Sequence, residues 1–267
     1  MLLPHFTALG SGPIVLMLHG AAGNYRSFAP QVEGLAQAGF KAVAWDMPGY
    51  GHSVPVEPYG LKGLALSAIA LIEALLPADA PAAKRSVHVV GHGLGGMVAQ
   101  ELIMRRPDLV RSLVLVGSTS GPDSGWAQDA QTQQEQMAQT DPSAWPRLSV
   151  GLIDAQVGPL ALVEGVQLAK YCMAQVSPVI YRLALQAQAG FERDAALGHI
   201  HVPTLLITGE HDALAPCAAI ERMASRIQGS RWVQMPGVGH WPHLEVPEAF
   251  DALLLDFLNE PTRAWTH

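Results

Sequence analysis

Short, nearly continuous apolar runs alternate with stretches of helical spacing at both ends of the chain. Ile14–Leu18, Lys41–Trp45, Val87–Val90, Leu113–Val116, Thr204–Thr208 and Trp232–Met235 are the apolar runs. Strands of this kind, without polar alternation, are expected where a parallel sheet is covered on both faces. Phe28–Ala38, Gly63–Leu76, Leu94–Arg105, Ala218–Ile227 and Pro247–Leu258 lie between and after them with the spacing of helices. Ser27 is placed to N-cap the first of these helices, and Pro247 suits the first turn of the last. Strand–helix repetition predicts an α/β fold with a doubly wound, mostly parallel sheet.

The middle breaks this rhythm. From Pro122 to Gly198 no strand run stands out, and the stretch is rich in Gln, Ala and Met. Asp129–Gln139 is polar on nearly every face, whereas Gly158–Val176 and Val179–Ala189 are amphipathic at helical spacing. The expectation is a core made of 1–119 and 199–267, with 120–198 inserted as a helical cap over the carboxyl edge of the sheet.

Composition narrows the function classes. Of 267 residues, 49% are apolar and 15% charged, enough for a sizeable core and unlike a disordered chain. The balance of 16 basic against 23 acidic residues gives −7. No basic run offsets phosphate repulsion, so no nucleic-acid partner is expected. Ile14–Leu18 is far too short to span a bilayer and follows no basic leader, so the expected setting is cytoplasmic, away from a membrane. Cys172 and Cys217 have no metal spacing and read as free thiols of a reducing compartment. No dinucleotide fingerprint, P-loop or metal-ligand cluster is present, so no cofactor and no metal are expected.

The candidate chemistry lies at the ends of strands, where open α/β sheets bind ligands. Val87-His88-Val89-Val90-Gly91-His92-Gly93-Leu94-Gly95-Gly96 reads strand, tight turn, helix. That is the pattern of a nucleophile elbow, G-x-S-x-G, with glycine where serine is expected. Leu18-His19-Gly20-Ala21-Ala22-Gly23 follows the first core strand, and Gly209-Glu210-His211-Asp212 follows the strand after the insertion. Gly237-Val238-Gly239-His240-Trp241-Pro242-His243-Leu244-Glu245 follows the last strand.

On these motifs, together with Asp46-Met47-Pro48-Gly49-Tyr50-Gly51-His52-Ser53, the whole chain resembles the α/β-hydrolase superfamily. The similar branch has a helical cap and includes esterases, lactonases and carbon–carbon bond hydrolases. The resemblance implies that position 93 holds the nucleophile, that His240 is the general base and that Asp212 orients it. It also implies an oxyanion hole from the N–H groups of Ala21 and Leu94. His240 as a loop cap, Asp212 as a helix cap and Glu210 as a rival acid are the plainer alternatives. His19, His243 and Glu245 are expected to brace loops, and His92 to face away from a bound acyl group.

Three functions stay open. A serine-type hydrolase of a carboxylic ester or lactone with an apolar acyl portion, inactivated by glycine at position 93, is the first. A natural enzyme using the His240–Asp212 pair without a covalent nucleophile, of the lyase or dioxygenase type or acting through water, is the second. A small-molecule binder without turnover is the third. Enol-lactones, acyl-homoserine lactones and ring-cleavage products all fit as substrates. Trp126, Trp145, Tyr181 and Trp241 are the candidate substrate contacts; Arg147, Arg182 and Arg193 offer either a carboxylate subsite or ordinary surface ion pairs. A monomer and a homodimer fit equally well.

Overall fold

A computed structural model describes residues 2–77, 85–121 and 144–260. Its centre is a seven-stranded sheet in the order β1-β3-β2-β4-β5-β6-β7. The strands are β1 (Phe6–Leu9), β2 (Ile14–Leu18), β3 (Lys41–Trp45), β4 (Val87–His92), β5 (Val110–Val116), β6 (Thr204–Gly209) and β7 (Arg231–Met235). Only β1 runs antiparallel, against β3, and every other pairing is parallel. The six apolar runs of the sequence are all strands. β1 was not anticipated: four residues long, at the sheet edge and half open to solvent, it has no apolar run to betray it.

Alternation along the strands sends side chains into two cores. Leu16, Leu18, Val43, Trp45, Val89 and Leu115 face one side, with α2 (Leu61–Leu75), α3 (Leu94–Arg105) and α7 (Cys217–Arg226) packed there. Val15, Met17, Ala44, Val90, Val114 and Ile207 face the other, under α1 (Ala29–Gln37) and α9 (Pro247–Asn259). A strand buried on both faces favours apolar residues throughout, and its few polar ones, such as His88, Ser112 and Thr208, are buried with hydrogen bonds.

Between β5 and β6 the described residues form α4 (Trp145–Asp154), α5 (Val163–Ala174) and α6 (Pro178–Ala189). The polar stretch Asp129–Gln139 and the candidate contact Trp126 lie outside the described residues. Two local expectations are corrected. Ser27 does not cap α1: it belongs to a 3-10 turn, Tyr25–Phe28, whose N-cap is Asn24. The Asn24 side chain accepts the Arg26 N–H, and Ser27 Oγ accepts the Asn24 N–H, so Ser27 closes a capping box one turn early. Trp145 points into helix packing: it is 6% exposed, and its Nε1–H donates to the Val176 carbonyl at 2.7 Å. Pro247 does open α9.

A buried ion pair ties the helix after the elbow to the segment returning from the insertion. Glu101 on α3 accepts from Arg105 Nε at 3.0 Å and from Arg193 Nε and Nη2 at 2.9 and 2.6 Å. Burial pushes the Glu101 carboxyl up, but the two guanidinium groups outweigh it and hold the group below its ordinary value of 4.5. A carboxylate depressed in this way stabilises the fold above the ordinary value, and that contribution is lost as pH falls through the folded one. Removing Arg193 leaves a carboxylate only 3% exposed with Arg105 as its remaining charged partner. Arg193→Met is therefore expected to lower unfolding free energy at pH 7 by about 1–3 kcal/mol in urea titrations. The difference from wild type should shrink below pH 4.

Candidate active site

The turn after β4 is built for close approach. Gly93 has φ +51° and ψ −117°, a backbone conformation that L side chains rarely adopt. α3 then starts at once and passes so near β2 that a Cβ on Gly95 would lie 2.0 Å from the Leu18 carbonyl oxygen. At Gly93 itself there is room. A Cβ built there would meet His240 Nε2 at 3.4 Å and the Gly20 Cα at 3.8 Å, both ordinary contacts.

His240 stands opposite, on the loop after β7. Its Nδ1–H faces Asp212, with 2.9 Å to Oδ2 and 3.0 Å to Oδ1. Asp212 Oδ1 also accepts the N–H groups of Leu214 and Ala215, both at 2.9 Å. The capping role and the imidazole contact are therefore made by one carboxylate, 4% exposed. Glu210, the rival acid, is exposed and accepts the Gly237 N–H at 2.8 Å instead. With Nδ1 held by Asp212, His240 presents Nε2 to the space beside Gly93.

The loop carrying His240 is held by groups that the sequence only hinted at. Glu245 has no exposed surface and accepts three backbone N–H groups: Gly158 at 2.7 Å, Gly239 at 2.8 Å and Trp241 at 2.9 Å. The Gln156 carbonyl accepts the His240 N–H at 2.7 Å. On the other side, His19 Nδ1–H donates to the Gly20 carbonyl at 2.8 Å, and its Nε2 accepts the Met47 N–H at 2.9 Å. Tyr50 adds a hydrogen bond from its hydroxyl to the Ala21 carbonyl at 2.9 Å. The Asp-Met-Pro-Gly-Tyr loop thus fixes the turn that carries Ala21.

Three further imidazoles stand in the neighbourhood, and His92 among them, expected to face away, is one of the residues lining the cavity beside Gly93. His92 donates from Nε2 to the His240 carbonyl at 2.8 Å and lies against the rings of His240, Trp241 and His243. His243 stacks on Phe28 with centroids 4.7 Å apart, and neither ring nitrogen has a partner among the described residues. Burial lowers the His19 pKa to about 4 and that of His243 to about 3, and it pushes His92 well below the ordinary value.

A cavity of about 70 Å³ opens between these groups, enough for several water molecules. Ala21, Gly93, Leu94 and His240 form its floor; Gln156, Tyr181, Gln188, Thr119 and Trp241 are among its walls. Of the expected substrate contacts, Tyr181 and Trp241 line it and Trp145 does not. Arg193 is committed to Glu101, Arg147 is exposed, and neither they nor Arg182 reach the wall. Gln156 and Gln188 went unnoticed in the sequence, since isolated glutamines in a helix-rich stretch carry no local signal.

A family model described as the alpha/beta hydrolase family matches residues 15–253. The chain belongs to the alpha/beta hydrolase family. A Variovorax paradoxus (strain S110) protein named "Putative carbamate hydrolase RutD" is 30% identical over 260 residues, covering 92% of each chain. Among solved structures, a thermophilic esterase from Thermogutta terrifontis shares the fold with a TM-score of 0.83 at 22% identity, covering 96% of this chain and 93% of its own. An enol-lactonase from Burkholderia xenovorans LB400 does so with a TM-score of 0.78 at 20% identity, over 96% of both chains. In this alpha/beta hydrolase no described helix is long and apolar enough to cross a membrane.

The buried neutral imidazoles set an acid limit on the fold. Between pH 6.5 and their lowered folded values the unfolded chain binds more protons, so stability falls as pH falls in that window. The slope is about 1.4 kcal/mol per pH unit for each such histidine. His243→Phe keeps the stack on Phe28 and removes two unpaired nitrogens. It is expected to raise the melting temperature more at pH 5 than at pH 8, measured by calorimetry. An equal shift at both values would show that His243 does not titrate with unfolding.

Proposed function

We propose that the protein hydrolyses a small carbonyl compound, a carboxylic ester, lactone or carbamate, with water as the nucleophile in place of a serine hydroxyl. The observation that carries this reading is the open position at Gly93. His240 Nε2 faces it at 3.4 Å from a built Cβ, with Asp212 behind the ring and a cavity in front. Water there loses a proton to His240 Nε2 as its oxygen bonds to the carbonyl carbon. The N–H groups of Ala21 and Leu94 hold the resulting oxyanion. The imidazolium then returns the proton to the leaving oxygen or nitrogen as the carbon–heteroatom bond breaks, and Asp212 stabilises the charged ring throughout. The carbamate hydrolase name of the Variovorax relative supports the substrate class, as do the esterase and lactonase names among structures of the same fold.

A second reading has its own support: every contact of a Cβ at position 93 is 3.4 Å or longer, so a serine fits. The chain is then a serine esterase or lactonase disarmed by glycine. The two readings separate on a panel of 4-nitrophenyl acetate, 4-nitrophenyl butyrate, γ-butyrolactone and ethyl carbamate. With water as nucleophile, the chain as it stands hydrolyses a panel member without a pre-steady-state burst, and His240→Ala lowers kcat by about 10²–10⁴-fold. For a disarmed serine hydrolase, Gly93→Ser raises kcat by several orders of magnitude and introduces a burst. The scale follows from loss of a triad nucleophile, about 10⁶ in kcat. That gain arrives despite strain of order 1–3 kcal/mol at the positive φ. Tight binding of a panel member without turnover in either form would point to a binder instead.

A further inference from the structure

The cavity wall near His240 carries a second selective feature. Trp241 Nε1–H donates to Gln156 Oε1 at 3.2 Å. An indole N–H can only donate, so it decides which end of the carboxamide faces it. The Gln156 NH₂ group is left turned away from Trp241. Gln156 lines the cavity, and its Nε2 has no hydrogen-bond partner among the described residues. The main chain of the same residue accepts the His240 N–H at 2.7 Å, which ties Gln156 to the loop that carries the imidazole.

The rest of the wall is uncharged and mixed, with Met97, Leu185 and Leu214 among its apolar groups. Thr119, Tyr181 and Gln188 line it, and no Lys, Arg, Asp or Glu does so among the described residues. An anion bound here would have no cation to meet, and the Asp212 carboxylate lies only one imidazole away. A purely apolar substrate would leave the Gln156 donor desolvated and unpaired.

We infer that Gln156 is the specificity-determining residue of this site, and that the site takes an uncharged substrate with a carbonyl or amide oxygen next to the scissile bond. The inference rests on the hydrolase reading for its reaction but not for its binding geometry. It adds a hydrogen-bonding group to the expected apolar acyl portion.

The test uses three methyl esters of equal size: methyl 3-amino-3-oxopropanoate, which carries a neutral amide; methyl 3-methylbutanoate, which lacks the acceptor; and monomethyl malonate, which is anionic. Malonamide, which has no ester, serves as a binding probe by ligand-observed NMR. The expected kcat/KM order is amide over apolar isostere by about tenfold or more, with the anion poorest. Gln156→Leu should bring the first two esters to within about twofold and weaken malonamide by a similar tenfold factor. Gln156→Glu, which keeps an oxygen for Trp241 but turns a second one to the cavity, should also lose the preference. Trp241→Phe keeps the bulk but frees the carboxamide to turn, and should give an intermediate loss.

Thermal melts of each variant guard against a folding defect, and Gln156→Glu, close to isosteric with the native residue, carries the test if Gln156→Leu does not fold. If no ester is turned over even by Gly93→Ser, the hydrolase reading fails. Malonamide binding that weakens in Gln156→Leu or Gln156→Glu would still uphold this inference. An unchanged ester preference in both Gln156 variants, or no malonamide binding to the wild-type chain, overturns it.

Discussion

The geometry of the candidate site depends on one buried carboxylate that does not line the cavity. Glu245 is fully buried and satisfied by three backbone N–H groups drawn from two separate loops. Backbone donors have fixed directions, so three of them converging on one side chain leave the loops a single relative position. That position brings the Gln156 carbonyl onto the His240 N–H and the imidazole onto Asp212. Without the carboxylate, Gly158, Gly239 and Trp241 would bury unpaired donors against one another. The histidine loop would then have no reason to stay where the base is needed.

Much of this was legible in the sequence, for physical reasons. Parallel strands sheltered on both faces show as unbroken apolar runs, and all six were readable. Asp212, His240 and Gly93 were readable because each directly follows such a run, at the edge where the sheet collects its ligands. What escaped was either short and exposed, as β1 is, or held together over long separations in the chain. The bond from Trp241 to Gln156 spans 85 positions, and nothing local in a lone glutamine announces it. Trp145 misled for the opposite reason: an aromatic residue in an amphipathic helix shows that something is buried, not which side buries it.

Four histidines crowd the same region, and their surroundings separate them into roles. His19 and His92 use one or both ring nitrogens on backbone groups, and His243 uses neither. Burial drives all three toward the neutral form, where they serve as flat apolar props. His240 alone of the four touches a carboxylate and turns its second nitrogen to the cavity. Burial keeps the other three rings from competing with His240 for the candidate role of base.

Glycine at the elbow then has a consequence for the order of events. A serine would be attached, ready and strained, and would divide hydrolysis into acylation and deacylation. Water is neither attached nor strained, and its attack must be assembled from binding alone. On the proposed water route, the advantage of holding a reactant in place has to come from the cavity. That cavity has about 70 Å³ of room for water and mixes polar and apolar groups in its lining. The same room limits what can share the space with the water. On that proposed route, a small substrate with a hydrogen-bonding group suits both the cavity and the glycine at position 93.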